Sequence, residues 1–149
     1  MDHSQKAYDL FMQGYNCSQS VFAAFCDITG IEFDFAVRLS SSFGGGMSRL
    51  REVCGAVCGM MMVAGALYGY DDPKDPNLKS EHYKRIQSLA YKFQEENGSF
   101  ICKKLLGLDS ASDPYSPQRT KEFYEKRPCA NLVKQAAAIM DDYINSHEP

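Results

Sequence analysis

A chain of 149 residues, 44% hydrophobic and 23% charged, has the composition of one globular domain that can bury a core without obligatory cross-links. The net charge of −3, with lysines and arginines scattered along the chain, excludes the basic stripe of a nucleic-acid binder. The N-terminal MDHSQKAYDLF carries an early acid and no apolar run, so no secretory leader is read and the expected location is the cytoplasm.

Ser4 to Gln13 sets Ala7, Leu10 and Phe11 at helical spacing, and Gly14 ends that helix. Asn16 is placed to cap a second helix, on which Cys17, Val21, Ala24 and Phe25 share one face. Cys26 falls about 180° round from Cys17, so these two are not expected to serve one site. Gly30 closes the element, and Asp34 is the expected cap of a shorter helix through Phe35, Val37 and Leu39. Gly44, Gly45 and Gly46 cannot be a helix interior and read as a flexible loop. Ser48 is the expected N-cap of a central helix that runs from about Arg49 to Tyr70 and stops at Asp71, Asp72 and Pro73.

Val53 to Tyr70 holds no charged side chain. It falls short of the ~20 apolar residues that cross a bilayer, and no second span or basic flank accompanies it, so a buried core helix is expected rather than membrane insertion. The turn-rich DDPKDPN follows, then an amphipathic helix over Leu78 to Glu96 with Tyr83, Ile86, Leu89, Ala90 and Phe93 on its apolar stripe. Ser99 restarts a short helix holding Cys102 before Gly107, and LDSASDPYSP shows no periodicity. After Pro128, Leu132, Val133, Ala136, Met140, Tyr143 and Ile144 define a final amphipathic helix. With no alternating strand and no repeat, the expected fold is all-α, a single-domain helical bundle over residues 1–149 packed around the glycine-rich central helix.

Six cysteines in a reducing compartment suit catalysis, redox sensing, metal binding or burial better than a disulfide framework. Three of them occupy expected first turns: Cys17 follows Asn16, Cys102 lies three after Ser99, and Cys129 follows Pro128. Unpaired N–H groups and the positive dipole end there favour thiolate, which is both the nucleophile and the metal-ligating form. Cys54 is less well placed, in the second turn of the central helix, but Arg49 and Arg51 are near and Gly55 leaves room beside its sulfur. Lys103 and Lys104 adjoin Cys102, and Lys126 and Arg127 precede Cys129. Cys17, Cys54, Cys102 and Cys129 are therefore the candidates. Cys26 and Cys58 are expected in the core, and a Cys54–Cys58 disulfide is disfavoured by the ~6 Å rise between positions four apart on a helix.

The blocks GYNCSQSVF, FGGGM, Cys54-Gly55-Ala56-Val57-Cys58-Gly59, GALYG, ENGSFICKKLLG and PCANLV resemble a known family over nearly the whole chain. It is the C_GCAxxG_C_C family of small redox-active proteins, named for a cysteine, a Cys-Gly-Ala-x-x-Gly motif and two further cysteines. The resemblance implies redox activity through the same four cysteines and no settled reaction. Cys58 falls on a variable position of the motif and Cys26 lies outside it.

Other features carry less. The glycine triplet could receive a phosphate but lacks the lysine and strand of a phosphate loop, and His3, His82 and His147 sit at terminal or polar positions with no i,i+4 partner. The expectation is a redox site where Cys17, Cys54, Cys102 and Cys129 converge beside the Gly55/Gly59 face. In one chemistry they hold an iron–sulfur cluster or a metal ion and transfer electrons with an unidentified redox partner protein, and the use of four cysteines inclines the reading that way. In another, a pair cycles between dithiol and disulfide. A third reading makes the chain a non-catalytic interaction module, a homodimer through the small-residue helix face.

Overall fold

Helices in this protein start where the chain can supply a partner for their first N–H groups. In the computed structural model, which describes residues 2–149, the Asp2 carboxylate accepts from Ser4 and Gln5 and opens α1 (His3–Met12). Asn16 opens α2 (Cys17–Ala24) through a full capping box: its Oδ1 accepts from the Gln19 N–H at 2.9 Å, and its own N–H donates to Gln19 Oε1 at 3.0 Å. Phe25 breaks that helix, so Cys26 starts a separate short helix, α3 (Cys26–Thr29), rather than lying on the far face of α2. Glu32, not Asp34, caps α4 (Phe33–Ser40). A 3-10 turn (Ser41–Phe43) leads into the four-residue α5 (Gly44–Met47).

The central helix begins later than its composition suggests. It is α6 (Gly55–Tyr68), with Cys54 as its N-cap, and Ser48 instead ends α5 as its left-handed C-cap residue. Residues from Gly45 onward instead follow a left-handed path: φ is +71° at Gly45 and Gly46, and +67°, +57°, +67° and +63° at Met47, Ser48, Arg49 and Arg51. Glycine adopts this freely, whereas each non-glycine residue costs roughly 1–2 kcal/mol there. Glu52 N–H to Gly46 O at 2.9 Å and Ser48 Oγ to Ser42 O at 2.8 Å hold the turn.

Residues 52–54 then meet residues 100–102 in one antiparallel bridge, Val53 with Ile101. The Cys54 N–H donates to Phe100 O at 2.8 Å, and the Cys102 N–H donates to Glu52 O at 2.6 Å. The remaining helices are α7 (Pro76–Asn97, capped by Asp75), α8 (Cys102–Leu106), α9 (Lys121–Lys126, capped by Thr120) and α10 (Cys129–Ser146). α9 occupies a stretch with no helical expectation in the sequence.

The fold is all-α. α6 packs against α2, α10 and α7, and α1 lies along α10 and α2. α2 is buried almost all round and packs against α1, α4, α6 and α10, so the α2–α6 pair is the hub. Phe22, Phe25, Phe93, Met60 and Met140 fill the centre. The pair crosses closely because Gly59 has no side chain: a Cβ there would lie 2.8 Å from Ser18 O and 2.9 Å from Val21 Cβ. On the small-residue face of α6, Gly59 is covered by α2 and Gly55 by Phe43, Gly44 and Cys17, whereas Gly65 is open. Among the described residues no helix is long and apolar enough to cross a membrane, and α6 spans 14 residues.

His3 differs from the expectation of a terminal, polar position. It is 2% exposed and stacks on Phe25 at 4.2 Å. Its Nδ1 lies 2.5 Å from Asp141 and its Nε2 3.0 Å from Asp27, tying α1 to α10 and α3.

Candidate functional site

All four candidate cysteines start helices. Cys17, Cys102 and Cys129 are the first residues of α2, α8 and α10, and Cys54 caps α6. The position of Cys54 is better than the second turn read from the sequence, and the antiparallel bridge sets it beside Cys102. Two local contacts draw the rest together. A Cβ on Gly55 would lie 3.1 Å from Cys17 Cβ, and one on Gly46 would lie 2.5 Å from Cys102 Cβ. Every one of the six pairs among the four thiols is close enough that a charge on one raises the proton affinity of another.

The four thiols are not equivalent. Cys17 and Cys129 are half-buried and within hydrogen-bonding reach of each other. Hydrogen bonding to Cys17 pulls the Cys129 thiol down to about 7 against the cost of burial, helped by Arg127, Arg51 and Arg119. The same hydrogen bond, then burial and the neighbouring thiols, pushes Cys17 well above its ordinary value. Cys54, 4% exposed, is pushed up to about 12 by burial, against the N–H groups of Ala56 and Val57. Burial also raises Cys102, partly opposed by Arg51, whose Nη1 donates to Cys102 Sγ at 3.6 Å.

A cavity of about 380 Å³ opens on the first pair, walled by Phe11, Asn16, Gly44, Gly45, Pro114, Pro117 and Phe123. Cys17 and Cys129 line it with Arg49, Arg51, Arg119 and Arg127, whereas Cys54 and Cys102 do not. The aperiodic segment after Leu108 supplies its outer wall, and Arg49 anchors that segment by donating to Asp113 O at 2.6 Å. Arg119 donates to Phe11 O and Tyr15 O and stacks on Phe11, fixing the loop that precedes Cys17.

Arg119 and the segment around Asp113 carry no periodicity and adjoin no cysteine in sequence, so nothing local marks them as part of the site. Arg51 was associated with Cys54 but reaches Cys102. Gly55 lies under Cys17 and Gly59 in the α2–α6 crossing, and neither lines the cavity. Cys58 is 6% exposed, its Sγ directed to Val53 O, and Cys26 lies on α3 and does not line the cavity. Among the described residues, no three cysteine, histidine or acidic side chains are grouped tightly enough to hold a metal ion. Four thiols are a suitable donor set for such a centre, but here two of them line the cavity and two are buried behind it.

Four cysteines stand at helix starts, and two of them, Cys17 and Cys129, line a cavity together with four arginines. Residues 15–143 match the family model described as "Putative redox-active protein (C_GCAxxG_C_C)", and the chain belongs to that family. Comparison with curated proteins and with solved structures returned no match.

Proposed function

We propose that the protein is a thiol–disulfide oxidoreductase in which Cys129 attacks and Cys17 resolves. The observation that carries this reading is the Cys17–Cys129 pair lining the cavity among four arginines, one thiol lowered to about 7 and the other raised. A thiolate with pKa near ambient pH balances abundance against nucleophilicity. The Cys129 thiolate attacks one sulfur of a substrate disulfide, a new S–S bond forms, and the departing thiolate takes a proton from solvent. Cys17 stays protonated while Cys129 is negative, because the neighbouring Cys129 thiolate and burial both raise its proton affinity. Once Cys129 is bound in the mixed disulfide that charge is gone, so Cys17 can release its proton to water and attack Cys129 Sγ. The second half of the substrate leaves as a thiol. The substrate gains two electrons and the protein gains a Cys17–Cys129 disulfide, which a dithiol donor, such as an unidentified redox partner protein, would reduce. Cys54 and Cys102 remain thiols in this cycle, held protonated by burial.

A second reading, a cysteine-held iron–sulfur cluster or metal ion, is favoured by one observation: the four thiols lie near enough to raise one another's proton affinity, with arginines at hand to offset their charge. Bound there by Cys17, Cys54, Cys102 and Cys129, such a centre would supply one-electron transfer. Anaerobic purification separates the two. A colourless protein that loses two free thiols on mild oxidation supports the dithiol cycle; visible absorbance with iron and acid-labile sulfide supports the cluster.

A further inference from the structure

We infer that the cavity beside Cys17 and Cys129 binds the acid group of a small ligand, so that the substrate of the proposed exchange reaction is an anionic low-molecular-weight disulfide. The inference rests on that reaction for the disulfide, but the anion site stands on its own observations. Four arginines line the cavity and no aspartate or glutamate does, in a chain whose net charge is −3. Positive charge is concentrated here against the overall balance, as in clefts that gather anions.

Two of the four are already engaged. Arg119 is held by backbone carbonyls, and Arg49 by Asp113, through its carbonyl at 2.6 Å and its carboxylate at 3.7 Å. The other two keep guanidinium donors without a partner. Arg51 is 2% exposed; its Nε donates to Ser112 Oγ and its Nη1 to Cys102 Sγ, and its buried Nη2 has no partner. No carboxylate among the described residues pairs with it, although a buried guanidinium is costly unless its donors are satisfied. The Arg127 guanidinium stacks over the Phe123 ring at 5.4 Å and makes no hydrogen bond or ion pair among the described residues. Guanidinium forks match the two oxygens of a carboxylate or an oxyanion. A cavity of about 380 Å³ is the size of a small-molecule pocket. An acid group held on Arg51 Nη2 and Arg127 would leave the disulfide of the same molecule facing Cys129, whose thiolate the same two cations stabilise.

The test compares the second-order oxidation of the reduced protein by 3,3′-dithiodipropionate, which is dianionic, and by bis(2-hydroxyethyl) disulfide, which is neutral, at one ionic strength. Iodoacetamide alkylation rates normalise for the thiolate fraction of Cys129. The expected preference for the dianion is about tenfold or more over that of a small free thiol, and Arg51→Gln and Arg127→Gln each remove about tenfold of it. If Arg51→Gln fails to fold, the half-exposed Arg127 carries the test. A preference equal to that of the free thiol, or unmoved in Arg127→Gln, overturns the inference. If neither disulfide reacts, the exchange reading fails separately, and calorimetry of 3,3′-dithiodipropionate with Cys129→Ser decides the site. Saturable binding lost in Arg127→Gln upholds the anion site, and absence of binding overturns it.

Discussion

Cys129 stands at the first position of an 18-residue helix, with the Cys17 thiol beside it and Arg127, Arg51 and Arg119 around it, so its proton leaves near pH 7 rather than 9. Its alkylation by iodoacetamide should rise through a midpoint near 7, and Arg127→Gln should move that midpoint upward; a wild-type midpoint near 9 would contradict the geometry. Cys54 behaves oppositely. Its folded pKa is about 12 against an ordinary value of 9, so the stability it contributes is fully present below pH 9 and is lost as pH rises from there through 12. Urea unfolding at pH 8 and pH 10 should show this loss, and Cys54→Ala should reduce the difference between the two. The four candidate cysteines were recognisable because a residue type and a helix start can both be read locally. Their division into an outer and an inner pair was not, because burial and the reach of Arg51 depend on contacts that span the chain.

At the scale of elements, the site depends on two close approaches and one strained turn. The α2–α6 crossing has no space at Gly59, and Gly59→Ala should cost about 1–3 kcal/mol in urea-unfolding stability by forcing the helices apart. Gly46→Ala meets both obstacles at once, a left-handed φ of +71° and a Cβ 2.5 Å from that of Cys102. It should destabilise the fold by at least as much and also raise the exposure of Cys102 to alkylation. An Arg49→Gly or Arg51→Gly exchange would relieve backbone strain but remove the cation. That conflict marks the left-handed run as a place where local cost is tolerated for the placement of side chains. The helix α10 and the cap at Asn16 follow from proline, capping residues and 3.6-residue spacing. The start of α6 did not follow: apolar composition from Arg49 onward looks helical, whereas the bridge to residues 100–102 holds residues 52–54 extended.

For the whole molecule, the all-α bundle brings four sulfurs from four separate helices to one end of the α2–α6 pair. Hydrophobic periodicity sufficed for the class of fold, because each long helix carries its own apolar stripe. The cavity was invisible to it, being closed by an aperiodic segment and by arginines from three parts of the chain. The central claim is that the outer two thiols form the working pair. Mild oxidation of the reduced protein followed by peptide mapping tests it most directly. The account predicts loss of two thiols and a single Cys17–Cys129 linkage, with Cys54 and Cys102 still free. A linkage between any other two cysteines, or oxidation that leaves Cys17 and Cys129 reduced, would contradict it.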